Sequence, residues 1–234
     1  MKHLYFHITL KALLFVIIGS LFQIGWQPTT YGQGEEKAPK IAFAAYDIFL
    51  MDPDGTNHVQ IADVPAPSDH PSWSPTGSQI VFSGGKLDED FNYLYIVDIE
   101  TSEITTLTTG TQPNWSPTEN VIAFISYDEE HGLGIYLINT DGTNRVFLAP
   151  LSDANNYDVI SWSPDGKQIA FIRDDQIYII DVAESLKGNN ETVTLLATER
   201  DFCTAFADYF SLAWSSRNQI AVSLSCSLRL DIYL

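Results

Sequence analysis

The sequence predicts an all-β protein, a β-propeller of four-stranded blades. The main evidence is a tryptophan-centred motif that occurs four times, with its tryptophans 42, 47 and 52 residues apart. This spacing is typical of propeller blades and not of helical repeats. Alternating apolar runs follow each motif, and 12% of the residues are aromatic. Both features favour β-strands. The motifs span His70–Phe82, Gln112–Phe124, Val159–Phe171 and Ser211–Val222.

The pattern of each complete repeat unit predicts four short strands. The first strand ends at the tryptophan, and the second is the apolar run that follows the next turn. The third is an alternating run, and the fourth is rich in Thr, Val and Leu. The third strands are predicted at Tyr93–Asp98, Gly134–Asn139 and Gln176–Asp181, and the fourth at Ile104–Thr108, Arg145–Ala149 and Thr192–Ala197.

The first and last units are incomplete. Ile41–Phe43 matches Ile122–Phe124, so the chain enters its first blade at the second strand. Asp231–Leu234 matches Asp47–Leu50, a third strand, and no fourth strand follows. Units of three, four, four, four and three strands give eighteen, or about four and a half blades. Because open sheet edges expose unpaired backbone groups, we favour a fragment of a longer propeller over an open arc or a small irregular ring.

The N-terminal segment has the three-part plan of a secretory signal peptide. Two lysines precede an apolar run at Ala12–Gly25, and small and polar residues lead to Gly32, near which we expect cleavage. An uncleaved membrane anchor is the alternative, although the run is shorter than the ~20 residues that span a bilayer. The predicted domains are a signal peptide at 1–32, a linker at 33–40 and a propeller at 41–234 that is truncated in its last blade.

The mature chain is strongly acidic. Without residues 1–32 it has ten Lys and Arg against thirty Asp and Glu, a net charge of −20. Such a surface repels nucleic acid and anionic lipid, which bind through clustered basic residues. It attracts a basic partner or a divalent cation, although the acidity is equally consistent with a role in solubility alone.

Two cysteines follow the predicted signal peptide. An even number of cysteines in an exported chain favours a disulfide between Cys203 and Cys226. Because Cys226 ends an apolar strand-like run, two buried free thiols are the alternative.

The Trp-Ser-Pro segments have a structural explanation. The tryptophan can pack between blades, the serine can bond nearby backbone, and proline sets a tight turn. The structural repeat residues are Trp73, Ser74, Pro75, Trp115, Ser116, Pro117, Trp162, Ser163, Pro164 and Trp214.

Metal sites are the weaker of two interpretations for the remaining polar motifs. Asp-Gly-Thr-Asn occurs at 54–57 and 141–144, and Asp-Gly between two strands is a strong hairpin signal. Calcium is the alternative, with Asp52, Asp54 and Asn57 as oxygen ligands, but the EF-hand spacing is absent. Convergence of His58, His70 and His131 on a metal would need a geometry that the spacing does not require. We therefore predict no cofactor, with calcium as the alternative.

Two acidic clusters occupy equivalent positions between the second and third predicted strands of adjacent units. We therefore expect both to lie on one rim of the disc, as a candidate surface for a basic partner. A merely solvated loop is the alternative. The clusters are Asp88, Glu89 and Asp90, and Asp128, Glu129 and Glu130.

The segment from Val159, with WSPDGKQIAFIR followed by QIYIIDV, resembles the WD40-like repeat (PD40) of the periplasmic TolB propeller family. The resemblance covers about residues 41–234. It implies a six-bladed propeller, here incomplete, that binds protein partners at its central opening in the cell envelope. Similar blades occur in prolyl-oligopeptidase-type serine peptidases and in oligogalacturonate lyases.

The predicted function is that of an exported, non-catalytic binding platform for protein, periplasmic or extracellular. No Gly-x-Ser-x-Gly, phosphate-binding glycine loop, HExxH or CxxC occurs in the sequence, which argues against catalysis by these residues. The alternative is the propeller part of a larger peptidase or lyase whose catalytic residues lie elsewhere.

Overall fold

The computed structural model describes residues 39–64, 67–86, 92–152, 159–174, 176–187, 193–198, 207–226 and 229–233. These residues form eighteen strands in five antiparallel sheets of three, four, four, four and three strands. Each sheet is a meander in which consecutive strands pair. The predicted propeller architecture and the strand count of every unit are confirmed.

The five sheets are blades 1 to 5 in chain order. Blade 1 contains β1 (Ile41–Ala45), β2 (Asp47–Met51) and β3 (Val59–Ala62). Blade 2 contains β4 (Ser68–Trp73), β5 (Gln79–Gly85), β6 (Asn92–Asp98) and β7 (Ile104–Thr109). Blade 3 contains β8 (Thr111–Trp115), β9 (Val121–Asp128), β10 (Gly132–Asn139) and β11 (Val146–Pro150). Blade 4 contains β12 (Ile160–Trp162), β13 (Gln168–Arg173), β14 (Gln176–Asp181) and β15 (Val193–Thr198). Blade 5 contains β16 (Ala207–Trp214), β17 (Ile220–Cys226) and β18 (Arg229–Tyr233).

A one-turn helix, α1 (Val182–Ser185), interrupts the connection between β14 and β15. The sequence analysis did not predict it, because four residues are too few to show helical periodicity. Asp181 caps the helix by accepting a hydrogen bond from the Glu184 N–H at 2.9 Å. Among the described residues no helix is long and apolar enough to cross a membrane.

The core lies between the blades. Each of the four buried clusters joins one face of a sheet to the opposite face of the next sheet. The phenylalanines of the second strands, Phe82, Phe124 and Phe171, are fully buried. Each lies 5.4 to 6.0 Å from a tyrosine ring of the third strand in its own blade. Burial of one such ring contributes about 1.5–3 kcal/mol, so each of these phenylalanines contributes substantially to the stability.

Hydrogen bonds also join neighbouring blades at the tryptophans. The backbone N–H of Trp115 donates to Ser72 Oγ at 2.9 Å, and the backbone N–H of Trp214 donates to Ser161 Oγ at 3.0 Å. The indole of Trp162 donates to the carbonyl of Asn114 at 3.0 Å. These bonds fix the position of each first strand against the next blade.

The disc has two faces because the strands of each blade alternate in direction. We call the turn face the one that carries the Trp-Ser-Pro turns and the turns between third and fourth strands. The connector face carries the hairpins between second and third strands and the connections from one blade to the next.

Candidate functional site: the connector face

The turn face is built from hydrogen-bonded turns. Asp54 Oδ1 accepts from Thr56 N at 3.0 Å and Thr56 Oγ1 at 2.7 Å, and Asp141 makes the same bonds with Thr143 at 2.9 and 2.6 Å. The hydroxyl bond is the largest of the effects that hold the pKa of each carboxyl below its usual range. Gly55 has a φ of 81° and Gly142 one of 84°, a conformation that glycine adopts without strain.

The oxygen atoms of the calcium alternative are engaged in the first of these turns. Lys40 Nζ lies 2.5 Å from Asp52 Oδ1, and the Asn57 amide donates to Asp52 Oδ2 at 2.5 Å. Asp54 is held by Thr56. In the parts of the chain that the structure describes, no three His, Cys, Asp or Glu side chains form a group that could hold a metal ion.

The serines of the Trp-Ser-Pro turns are buried hydrogen-bond acceptors. Gln79 N donates to Ser74 Oγ at 3.0 Å, and Gln168 N donates to Ser163 Oγ at 2.9 Å. Ser163 is only 1% exposed. These hydroxyl groups are therefore placed to support the turn and not to attack a substrate.

Asp69, His70 and Ser83 form a polar cluster on the connector face near the axis. Ser83 Oγ donates to Asp69 Oδ1, and His70 Nδ1 lies 2.9 Å from the same oxygen. Burial would raise the pKa of the Asp69 carboxyl, but the contacts with His70 and Ser83 outweigh it and lower the pKa. The carboxylate lies between the serine and the histidine. In a catalytic triad the histidine lies between the serine and the carboxylate, so this order does not activate the serine.

A backbone irregularity lies at His70 and Gln112, at the connector-face ends of two first strands. We call the inner part of the connector face, where the first strands begin, the axial mouth. Both have a φ of 51°, and both lie where the register of the first strand shifts against the second. They share a small cleft with Pro113, Asn114 and Ile160, at the inner ends of three blades. Left-handed backbone at a residue other than glycine is strained, and such strain is concentrated at functional sites.

The hairpin between β9 and β10 forms an ordered part of the rim. Asp128 Oδ1 accepts from the N–H groups of Glu130 at 3.0 Å and His131 at 2.7 Å, and the latter bond lowers the pKa of Asp128 the most. The His131 ring stacks on Phe147 with 4.5 Å between ring centroids. The side chain of Glu130 is 83% exposed. The hairpin thus holds a carboxylate inward while another points to solvent.

Tyr136 lies under the same hairpin. Its hydroxyl donates to the carbonyl of Gly132 at 2.9 Å, and the guanidinium of Arg145 lies 4.6 Å from its ring centre. Burial, together with the carboxylate of Asp128, raises the pKa of Tyr136 to about 12.

Basic side chains in the second-to-third-strand hairpins lie over tyrosine rings. Lys86 Nζ is 4.0 Å from the centre of the Tyr93 ring, and the Arg173 guanidinium is 4.3 Å from that of Tyr178. Arg173 also donates to the carbonyl of Pro150 at 3.2 Å. Their cationic groups are therefore engaged by rings and a carbonyl.

The three histidines do not converge. His58 lies on the turn face, where Nε2 is 2.9 Å from the carbonyl oxygen of Gly55, whereas His70 and His131 lie on the connector face in different blades. The predicted rim cluster at 128–130 begins at the last residue of β9 and continues into the hairpin between β9 and β10. The cluster at 88–90 falls outside the described residues. The same holds for Cys203 and the side chain of Cys226, so the disulfide stays a prediction.

Sequence reasoning missed Asp69 and Ser83. The two residues are 14 positions apart in sequence and meet only because β4 pairs with β5. The adjacency of Asp69 to His70, followed by proline, was the one signal in the sequence that could have drawn attention to them.

Comparison with known proteins agrees with this architecture. An 81-residue segment, 33% of the chain, is 31% identical to the Tol-Pal system protein TolB of Alcanivorax borkumensis and covers 18% of that protein. The crystal structure of TolB from Acinetobacter baumannii superposes with a TM-score of 0.63 at 19% identity, over 79% of this chain and 45% of that one.

Two solved enzymes share the fold. A puromycin-hydrolysing peptidase of Mycobacterium tuberculosis has a TM-score of 0.60 at 13% identity, over 83% of this chain and 33% of the peptidase. An oligogalacturonate lyase in complex with manganese has a TM-score of 0.50 at 21% identity, over 65% of this chain and 47% of the lyase. At these identities the likeness shows the fold alone.

The family assignment is independent of any single relative. The TolB β-propeller domain family (PD40) matches residues 34–227, most of the chain. This match agrees with the Trp-Ser-Pro repeat in the sequence and with the five meander sheets of the fold. The chain belongs to the TolB β-propeller domain family.

Proposed function

We propose that the protein is an exported, non-catalytic propeller that binds a protein partner through its connector face, in the periplasm or outside the cell. The signal-peptide plan of residues 1–32 supports export. The similarity to a Tol-Pal system protein supports a role in the cell envelope.

The distribution of ion pairs carries this proposal. Among the described residues, lysine pairs with carboxylates only on the turn face, at Asp52, Asp165 and Glu184. On the connector face the only such contacts of Asp69 and Asp128 are with histidines. These two connector-face carboxylates are therefore not paired with lysine or arginine, and such carboxylates attract and orient a basic partner.

The arrangement of polar groups supports binding rather than bond cleavage. Ser83 is fully buried, so its oxygen is not accessible to a substrate, and its hydroxyl donates to the Asp69 carboxylate and not to a histidine. Recognition would rest on charge and shape at the rim and at the axial mouth beside His70.

The test compares matched charge reversals on the two faces. The connector-face variant is Glu129→Lys with Glu130→Lys, and the turn-face control is Glu100→Lys with Glu103→Lys, all four being exposed. Proteins captured from envelope extracts by each variant are quantified by mass spectrometry against wild type. We expect a specific partner to fall at least tenfold with the connector-face variant alone. Equal losses for both variants, or none, would contradict the proposal.

The alternative function is the propeller part of a larger enzyme, since a peptidase and a lyase contain the same fold. The intact mass of the native protein separates the two proposals. A mass that corresponds to residues 33–234, with a two-dalton rise on reduction, supports the binding platform, signal cleavage and the Cys203–Cys226 disulfide. A mass larger by a whole domain supports the enzyme.

A further inference from the structure

One exposed aromatic side chain lies near the end of β9, where the connector-face hairpin of blade 3 begins. Tyr127 is 65% exposed. The equivalent residues, each three positions after the phenylalanine of a second strand, are Tyr46, Gly85 and Asp174, so the repeat does not require an aromatic residue here. The two core clusters that pack on the faces of blade 3 do not include Tyr127. The fold therefore gives no reason for a tyrosine at this position.

The main chain around Tyr127 is held on both sides. The carbonyl of Tyr127 accepts a hydrogen bond from the Arg145 guanidinium at 3.3 Å. The next residue, Asp128, accepts from the N–H groups of Glu130 and His131. Because the hairpin is ordered and a tyrosine side chain has only two χ angles, the ring is presented to a ligand at a low entropic cost.

Two exposed carboxylates follow Tyr127 in the same hairpin. Glu129 is exposed, and the side chain of Glu130 is 83% exposed. The nearest ionisable partner of Glu130 is His131, whose Nε2 lies 3.9 Å from Glu130 Oε1. In the part of the chain that the structure describes, neither glutamate pairs with lysine or arginine. The hairpin thus presents an aromatic ring together with two carboxylates that no lysine or arginine of the described chain neutralises.

A guanidinium group complements this combination. It is planar, so it can stack on an aromatic ring and donate parallel hydrogen bonds to a carboxylate, whereas the ammonium group of lysine is a compact and strongly hydrated charge. The same stacking occurs within this protein. The guanidinium of Arg145 lies 4.6 Å from the centre of the Tyr136 ring, and that of Arg173 lies 4.3 Å from the centre of the Tyr178 ring.

We propose that Tyr127, Glu129 and Glu130 bind an arginine side chain of the basic partner protein. The guanidinium stacks on the ring of Tyr127 and donates hydrogen bonds to the glutamate carboxylates. This inference rests on the proposed function, because it names the residue type by which the basic partner is recognised at the connector face. It adds a preference for arginine over lysine, which attraction by net charge does not provide.

The experiment measures binding of two defined peptides, fluorophore-labelled hexa-arginine and hexalysine, to the full chain by fluorescence anisotropy at physiological ionic strength. Both peptides carry the same charge, so the ratio of their dissociation constants separates arginine recognition from attraction by charge. The variants are Tyr127→Leu, which keeps an apolar side chain without the ring, and Tyr127→Phe, which keeps a ring. Tyr46→Leu is the matched control, because Tyr46 is 63% exposed at the equivalent position but its hairpin contains no glutamate.

We expect wild type, Tyr127→Phe and Tyr46→Leu to bind hexa-arginine about threefold more tightly than hexalysine, the preference that one exposed cation–π contact gives. Tyr127→Leu should bind the two peptides equally. In NMR spectra of wild type, the ring resonances of Tyr127, identified by their loss in Tyr127→Leu, should shift more with hexa-arginine than with hexalysine. A wild-type ratio of one, an unchanged ratio in Tyr127→Leu, an equal loss in Tyr46→Leu or unshifted Tyr127 resonances would overturn the inference.

Two results distinguish failure of this inference from failure of the proposed function. If Tyr127→Leu leaves the peptide ratio unchanged while Glu129→Lys with Glu130→Lys still lowers partner capture, arginine recognition at Tyr127 is wrong and the proposed function stands. If the charge reversal leaves partner capture unchanged, the proposed function is wrong, and so is this inference.

Discussion

The turn face and the connector face use the same residue types for different purposes. On the turn face, most bonds of Asp, Ser and Lys are to groups a few residues away, as in Asp54 with Thr56 and Lys187 with Glu184. On the connector face, Asp69 and Ser83 meet across two strands, and Glu130 points to solvent. The comparison indicates that the turn face shapes and stabilises the blades, and it is the reason why we propose the connector face as the binding surface.

The largest expected effect is on the tryptophan at the turn-face end of β12. Replacing Trp162 with alanine should lower the free energy of unfolding by about 3–5 kcal/mol, because a 7% exposed ring and its bond to Asn114 are lost. Urea unfolding followed by circular dichroism measures the change. Trp214→Ala is the control and should cost less, because that ring is only partly buried. Equal losses would contradict this interpretation.

A smaller loss is expected at a turn-face serine. Ser163→Ala removes the acceptor of the Gln168 N–H, and an unpaired buried donor costs about 1–3 kcal/mol. Urea unfolding again measures the change. Ser78→Ala, at an exposed hydroxyl that bonds to Thr76, should change the free energy of unfolding little. If Ser163→Ala were as mild as Ser78→Ala, the turn serines would not stabilise the fold.

A pH-dependent effect is expected on the connector face. Because the pKa of Asp69 is lower in the folded protein, its contribution to stability is present above the unfolded-state pKa of about 3.9 and is lost as the pH falls through the folded-state value. Asp69→Asn should therefore flatten the dependence of the unfolding free energy on pH below about pH 4. Chemical unfolding between about pH 2 and pH 7 measures this dependence. An unchanged slope would show that Asp69 has no net favourable contact.

The smallest effect is expected for Glu129→Lys with Glu130→Lys. Both residues are exposed, and substitutions of this kind usually change the free energy of unfolding by no more than about 0.5 kcal/mol. Thermal unfolding monitors stability while partner capture is measured on the same sample. A large stability loss would place these residues with the turn-face residues that support the fold.

The repeat pattern was sufficient to predict the strands because each blade is a local meander. The tryptophan spacing fixed the number of strands in every unit, and predicted fourth strands such as 145–149 differ from the observed β11 by one residue at each end. The helix α1 was missed because one turn is stabilised by its cap at Asp181, which sequence periodicity does not show. The disulfide and the signal peptide lie outside the described residues and stay predictions.

The sequence alone determined the blade architecture, the turns and the strong acidity, because these follow from periodicity, turn chemistry and composition. Only the tertiary structure decided that Asp69 lies between His70 and Ser83, and that, among the described residues, lysine pairs with carboxylates on one face. Each of these depends on strand pairing or on the stacking of blades, which joins residues distant in the chain. Charge can be counted from a sequence, but its distribution over two faces depends on which end of each strand carries it.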